Sequence, residues 1–342
     1  MLENNHNPSG PGGPGVTAGT DVPDYRTTAL RRPWTELPAA LQARLSGHLG
    51  AAVASVQPAG GGFTQGFAAV LQSSSGRRIF TKAARASDTF IYPSYLREAE
   101  VMPLMPAGMP IPRLRAAEQL VVDGVSWQLL VYDAVDGVMP GYPWTDADLQ
   151  SVEEACVTAA RLLRDFPRGL AGDPLAADLA GVPSQFLPLA AGRPAPWFLP
   201  GLTTDQAADF QDLLEFCPQA LAGNDVLHGD LRPDNVLAGP GRAVICDWNF
   251  LGTGPAWTDW TGVLPYARAG GLDVDAWLLR STLTRDVPPR YIDAFLVALL
   301  NYMLHSGGQP EVPSSPSLRS HGRHTARLVY DWLVQRRSLT TA

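Results

Sequence analysis

Residues 228 to 250 read "HGDLRPDNVLAGPGRAVICDWNF": two carboxylates, Asp230 and Asp247, and an Asn set among residues that pattern as buried strands. A charge taken out of water needs a partner, so such a stretch demands an explanation. "NVLAGPGRAVICDW" reads as a β-hairpin with its turn at "GPGR". Folding it about Gly241 sets Asn235 roughly opposite Asp247, and cross-strand neighbours lie about 5 Å apart at Cβ. An amide oxygen beside a carboxylate makes a hard-oxygen site suited to Mg²⁺, which takes one or two protein oxygens and leaves the rest to water and phosphate. Asp230, in the loop that enters the hairpin, is not needed for the metal. A carboxylate there can orient an acceptor hydroxyl and take its proton. His228 is expected to anchor the loop through hydrogen bonds rather than act as an acid or base.

Basic residues supply a second constraint. Of 26 Lys and Arg, the only lysine is Lys82, in "RRIFTKAA". A bias toward arginine explains why lysine is scarce but not why one remains. A site that needs a compact ammonium, which a planar guanidinium cannot mimic, would explain it. Chance survival is the alternative, so the position of Lys82 decides.

A chain of 342 residues has room for one large domain or two lobes with a sizeable core. Cys156, Cys217 and Cys246 are widely spaced and form no CxxC pair, which argues against a disulfide framework or a zinc site and suits a reducing compartment. The start has neither a basic nor an apolar leader segment, and its Gly, Pro and Asn content reads as a disordered tail over residues 1–25. The best apolar run, residues 294–304, is too short to cross a bilayer and reads as a buried helix. A cytoplasmic protein with no membrane partner is expected. The formal charge of −7 falls in the second half, which disfavours nucleic acid and attracts cations.

Along residues 53–82 the pattern is strand, glycine loop, strand, turn, strand. "PSYLREAEVMPLMP" reads as a short helix bounded by Pro93 and Pro103. Two further strands follow, joined at a "DG" turn, and complete a five-stranded antiparallel unit with one inserted helix. After Gly137 the pattern becomes helical. Thr145 and Asp148 form a capping box ahead of an apolar face of Leu149, Val152, Cys156, Ala159 and Leu163. Residues 171–202 read as a long loop or insertion, and a second helix is expected over about 204–217. The fold class is therefore α+β, with a small antiparallel β-rich lobe over 26–136 and a larger, mainly helical lobe over 137–342.

"HGDLRPDN" followed by "CDWNF" resembles the catalytic loop and metal motif of the aminoglycoside phosphotransferases and related small-molecule kinases, which share the protein-kinase fold. The general template is H-R-D-x-x-x-x-N followed by D-F-G. Here Gly229 replaces the Arg and "DWN" replaces D-F-G, and no A-P-E motif follows, so no protein substrate is expected. The resemblance implies a phosphate-covering loop at "GGGFTQGF", with Gly61, Gly62 and Thr64 against the phosphates. It places Lys82 on the third strand as the phosphate-binding lysine and Glu98, in preference to Glu100, as its ion-pair partner. It assigns adenine to backbone groups around Asp133 to Val135, Asp230 and Arg232 to the catalytic loop, and Asn235 and Asp247 to the metal. Asp259 would support the catalytic loop.

The expected activity is transfer of the γ-phosphate of ATP or GTP, with Mg²⁺, to a hydroxyl of a small cationic molecule such as an aminoglycoside. Choline-like amines, macrolides and other metabolites are alternative acceptors, and a nucleotide-binding pseudokinase is an alternative of another class. Residues 311–342 carry net +3, so acidic acceptor groups must come from elsewhere, for instance Asp273 and Asp275 or the 146–154 helix.

Overall fold

Leu41, Leu45 and Leu49 recur every four residues, one face of a helix. Helix α1 (Ala39–Leu49) buries all three against the sheet and ends at Gly50, whose positive φ makes the left-handed cap. This element was not among those expected. The computed structural model describes residues 22–338; most of the tail expected over 1–25 lies outside them. Within the described part of that stretch, Tyr25 is buried and its hydroxyl bonds to His321 of the second lobe.

The expected five-stranded antiparallel sheet is present: β1 (Val53–Pro58), β2 (Phe67–Ser73), β3 (Arg78–Arg85), β4 (Leu114–Val122) and β5 (Val125–Asp133), in the order β1-β2-β3-β5-β4. Asp123 and Gly124 both take positive φ at the β4–β5 turn, as a two-residue hairpin of this twist requires. Side chains alternate across each strand. Trp127, Leu129 and Val131 of β5 join Ile79 and Ala83 of β3 in the core under α1. Leu130 and Tyr132, the opposite face, belong to the core shared with the second lobe. Lys82 pairs in register with Leu130 and therefore lies on that second face. Helix α2 (Ile91–Val101) is inserted after β3 and packs on β3 and β5.

The second lobe contains α3 (Asp146–Leu162), α4 (Leu175–Ala180), α5 (Phe186–Ala190), α6 (Thr204–Ala220), the short strands β6 (Asp225–Leu227), β7 (Val236–Gly239), β8 (Arg242–Ile245) and β9 (Gly252–Gly254), then α7 (Trp257–Ala269), α8 (Val274–Arg280), α9 (Pro289–Gly308) and α10 (Leu318–Arg336). The capping box closes at Thr145 and Asp148. The stretch 171–202 is not one loop; it folds into α4 and α5, too short and Pro-rich to show a period. The apolar run sits inside α9, and no helix among the described residues is long and apolar enough to cross a membrane. Trp248, Trp260 and Trp332 are fully buried core residues, whereas Trp197 is exposed.

Candidate active site

The hairpin β7–β8 pairs Val236 with Ile245, so Asn235 lies opposite Cys246 rather than Asp247. The Cys246 N–H donates to the Asn235 carbonyl at 2.8 Å. Asp247 follows one residue later in a left-handed backbone, φ 62°, a conformation that a non-glycine residue adopts at some energetic cost. Asn235 and Asp247 nonetheless line one cleft between the lobes. The sequence misplaced the register by one residue because Pro240 and Gly241 together, not Gly241 alone, form the turn.

Lys82 enters this cleft from β3. Its Nζ donates to both Glu98 oxygens at 2.7 Å and to Asp247 Oδ1. Glu98 belongs to the buried stripe of α2 with Ile91, Tyr95 and Val101, and accepts a further bond from the Tyr132 hydroxyl at 2.7 Å. Glu100 faces solvent and pairs with Arg97. Burial pulls the Lys82 ammonium toward neutrality, but Asp247 and Glu98 outweigh it and hold its pKa well above the usual lysine range. Burial likewise pushes the Asp247 carboxyl up, and Lys82 reverses this to leave it below the ordinary range. Burial raises the Glu98 carboxyl, with Lys82 opposing, so the ammonium is held between one carboxylate shifted down and one shifted up.

The catalytic-type loop is held from three sides. Asp259 accepts from the backbone N–H groups of His228, at 2.7 Å, and Gly229, at 3.1 Å. His228 Nδ1 accepts from the Asp230 N–H, so its Nε2 carries the proton and donates to the Cys246 carbonyl at 2.7 Å. This is the anchoring role expected for His228. Asn235 Nδ2 donates to the Asp230 carbonyl at 2.8 Å. Gly229 is required here: its φ is +78°, and a Cβ would stand 2.4 Å from the Phe250 carbonyl oxygen.

Burial raises the Asp230 carboxyl above the ordinary range, with Arg232 opposing. Arg232 Nη1 lies 2.6 Å from Asp230 Oδ2, while its Nε and Nη2 donate to Asp234 at 3.0 and 3.1 Å. Asp234, fully buried, also accepts from the Gly62 N–H at 3.1 Å and so ties the glycine loop to the catalytic loop. Gly61 fits against Asp234 and Tyr25 where a Cβ would crowd both. Thr64 Oγ1 accepts from Arg31 at 2.8 Å. Asp133 and Val135 line the far end of the cleft; the Asp133 N–H is already bonded to Arg113.

Sequence reasoning missed Asp234, Asn249 and the strap of residues 24–32. Asn249 lines the cleft with a buried Oδ1 that has no donor in the protein. Asn235 and Asp247 line the same cleft, and amide and carboxylate oxygens are of the kind that a hard, hydrated cation takes. Among the described residues no three His, Cys, Asp or Glu converge as a metal cluster. The carboxylates expected to form an acidic acceptor pocket are used elsewhere. Asp275 pairs with Arg336, Asp273 caps α8, Asp146 accepts from Trp277 and Glu153 from Ser281. The basic C-terminal region is neutralised by the same means, with Arg336 and Arg337 on Asp275, Asp293 and Asp209.

The model of the phosphotransferase enzyme family matches residues 55–309, which span both the glycine loop and the catalytic loop. The chain belongs to that family. Solved structures of similar fold include a thermostable mutant of aminoglycoside phosphotransferase APH(4)-Ia with AMP-PNP and hygromycin B. It is 14% identical, with 89% of this chain and 100% of that chain covered and a TM-score of 0.56. Spectinomycin phosphotransferase APH(9)-Ia, with ADP and spectinomycin, is 12% identical over 85% and 97% of the two chains, TM-score 0.52. An aminoglycoside phosphotransferase from Alicyclobacillus acidocaldarius subsp. acidocaldarius is 16% identical over 84% and 92%, TM-score 0.51. No curated protein matches the chain. Membership establishes a kinase-like phosphotransferase, and the structural likeness establishes the two-lobed fold.

Proposed function

We propose that this phosphotransferase moves the γ-phosphoryl group of ATP or GTP to a hydroxyl of a small molecule. One observation supports the reading above others: a single cleft is lined by Lys82, tied to Glu98 and Asp247, and by Asp230 on the adjoining loop. The cleft encloses about 1590 Å³, more than the roughly 300–1,000 Å³ of a pocket for one ligand, so donor and acceptor fit together.

In this reading residues 26–136 hold the nucleotide and residues 137–342 the catalytic loop and the acceptor. Adenine lies against Asp133 to Val135, where the Val135 N–H has no partner among the described residues. Gly61, Gly62 and Thr64 cover the phosphates, and Lys82 binds them as a point charge. Asn235 and Asp247 hold Mg²⁺, which when bound neutralises the phosphate charge. Asp230 takes the proton of the acceptor hydroxyl as its oxygen bonds to the γ-phosphorus. The bond from that phosphorus to the bridging oxygen breaks, and ADP or GDP leaves with the electron pair. Arg232 neutralises charge beside Asp230 and steadies it through Asp234.

Hygromycin B and spectinomycin are ligands of proteins with this fold, and the acidic second half favours a cation as acceptor. The experiment is a screen of hydroxyl-bearing antibiotics and amine metabolites for acceptor-dependent ADP or GDP release. Asp230→Asn should lower kcat roughly 10²–10⁴-fold, the contribution typical of a positioned proton acceptor, while nucleotide still binds. Wild-type turnover in that variant would remove Asp230 from the reaction.

A further inference from the structure

Beyond Asp230 the cleft continues between α4, α9 and the segment 312–318, and the chemistry of that end bears on the acceptor. On α9, Leu299, Tyr302 and Met303 follow at helical spacing and line it; Leu175 and Leu179 of α4 stand among the same lining residues. Tyr302 is 45% exposed although large and apolar, so the wall is left uncovered by the protein itself.

All but one of the carboxylates that line the cleft are already used. Glu98 and Asp247 hold Lys82, Asp230 and Asp234 hold Arg232, Asp259 holds two backbone N–H groups, Asp88 pairs with Arg85 and Asp133 with Arg115. Among the described residues Asp178, exposed on α4 at the rim of the cleft, is the lining carboxylate with no side-chain hydrogen bond or ion pair. One neutral group is also unspent. Ser315 is 5% exposed, lines the cleft and has no partner for its hydroxyl. A buried hydroxyl without a partner costs free energy that a ligand group can recover.

A molecule with several ammonium groups would have to bury them against leucine, tyrosine and methionine with one carboxylate to meet them, and unpaired buried charges are strongly disfavoured. An apolar body gains from covering the same wall. We infer that the acceptor is an alcohol with an apolar body, uncharged or carrying a single positive charge that Asp178 receives, with one polar group bonded to Ser315, and not a polycation. The inference rests on the phosphotransfer reading and narrows it: the acceptor class expected from net charge is replaced by one set by the local wall.

The test uses the full chain with AMP-PNP and Mg²⁺ for binding, measured by calorimetry, and with ATP and Mg²⁺ for turnover. Three probes form a charge series: an uncharged macrocyclic lactone alcohol, an aryl amino alcohol with one ammonium, and an aminoglycoside with several. The expected result is binding of the first two at least about tenfold tighter than the third, and turnover in the same order. Asp178→Asn should weaken the singly charged probe and leave the uncharged one unchanged. Leu299→Asp should move the ranking toward the aminoglycoside, and Ser315→Ala, a smaller change, should weaken the favoured probes without altering fold. Tighter binding of the aminoglycoside by the wild-type chain, or a ranking indifferent to both Asp178→Asn and Leu299→Asp, overturns the inference. The phosphotransfer reading fails separately: probes would bind in the expected order, yet no phosphate would be transferred to any of them.

Discussion

Asp247 is held at φ 62° and bonded to Lys82. Its backbone conformation, its charge and its neighbour all have to be right together. Asp230 yields a prediction of sign. Burial raises its carboxyl pKa and Arg232 lowers it, and in the proposed reaction only its ionised form would take a proton from the acceptor. The kcat/KM profile should therefore fall as pH drops through a pKa above the ordinary carboxylate range and be level above it. Arg232→Ala removes the opposing charge and should move that acid limb to higher pH. An acid limb that stays in place in Arg232→Ala would show that the limb belongs to another group.

At the scale of elements, the glycine loop is governed by a segment far from it in sequence. Ala29 and Arg32 donate backbone bonds to the Gly60 and Gln65 carbonyls, and Arg31 reaches Ala59, Gly61 and Thr64. Tyr25 anchors this strap to α10 through a 2.7 Å bond between its hydroxyl and His321. Gly60 lets it pass, since a Cβ there would fall 1.6 Å from the Arg26 carbonyl oxygen. Gly60→Ala should detach the strap, expose Arg31 and Arg32 to trypsin, and raise the nucleotide KM about tenfold, the loss of one or two net hydrogen bonds of about 1 kcal/mol. Unchanged trypsin resistance would contradict the packing described here. The strands and the inserted helix were legible in the sequence from apolar runs bounded by turns and prolines, and the pairing of Lys82 with Glu98 followed from the family resemblance. The strap, Asp234 and the short helices α4 and α5 were not. Their roles arise from contacts between distant segments, which leave no periodicity, and Tyr25 lies in a stretch whose composition reads as tail.

For the molecule as a whole, the two lobes meet at one charged triad, with Lys82 from the sheet, Glu98 from the inserted helix and Asp247 from the hairpin of the second lobe. The core spans both lobes, and Arg336 of α10 and Arg337 just past it are paired with carboxylates of α6, α8 and α9, so surface charge alone misreports the cleft. Burial and pairing make Lys82 a poor target for acylating reagents, since the ammonium form is not nucleophilic. Because the chain has one lysine, protein grown with lysine labelled at ¹⁵Nζ gives a single side-chain resonance that reports this site. That resonance should stay in its protonated form above the ordinary lysine pKa of about 10.4 and shift saturably when ATP with Mg²⁺ is added. A resonance that titrates in the ordinary range and does not move at saturating nucleotide would contradict the assignment of the cleft as the phosphate-binding site.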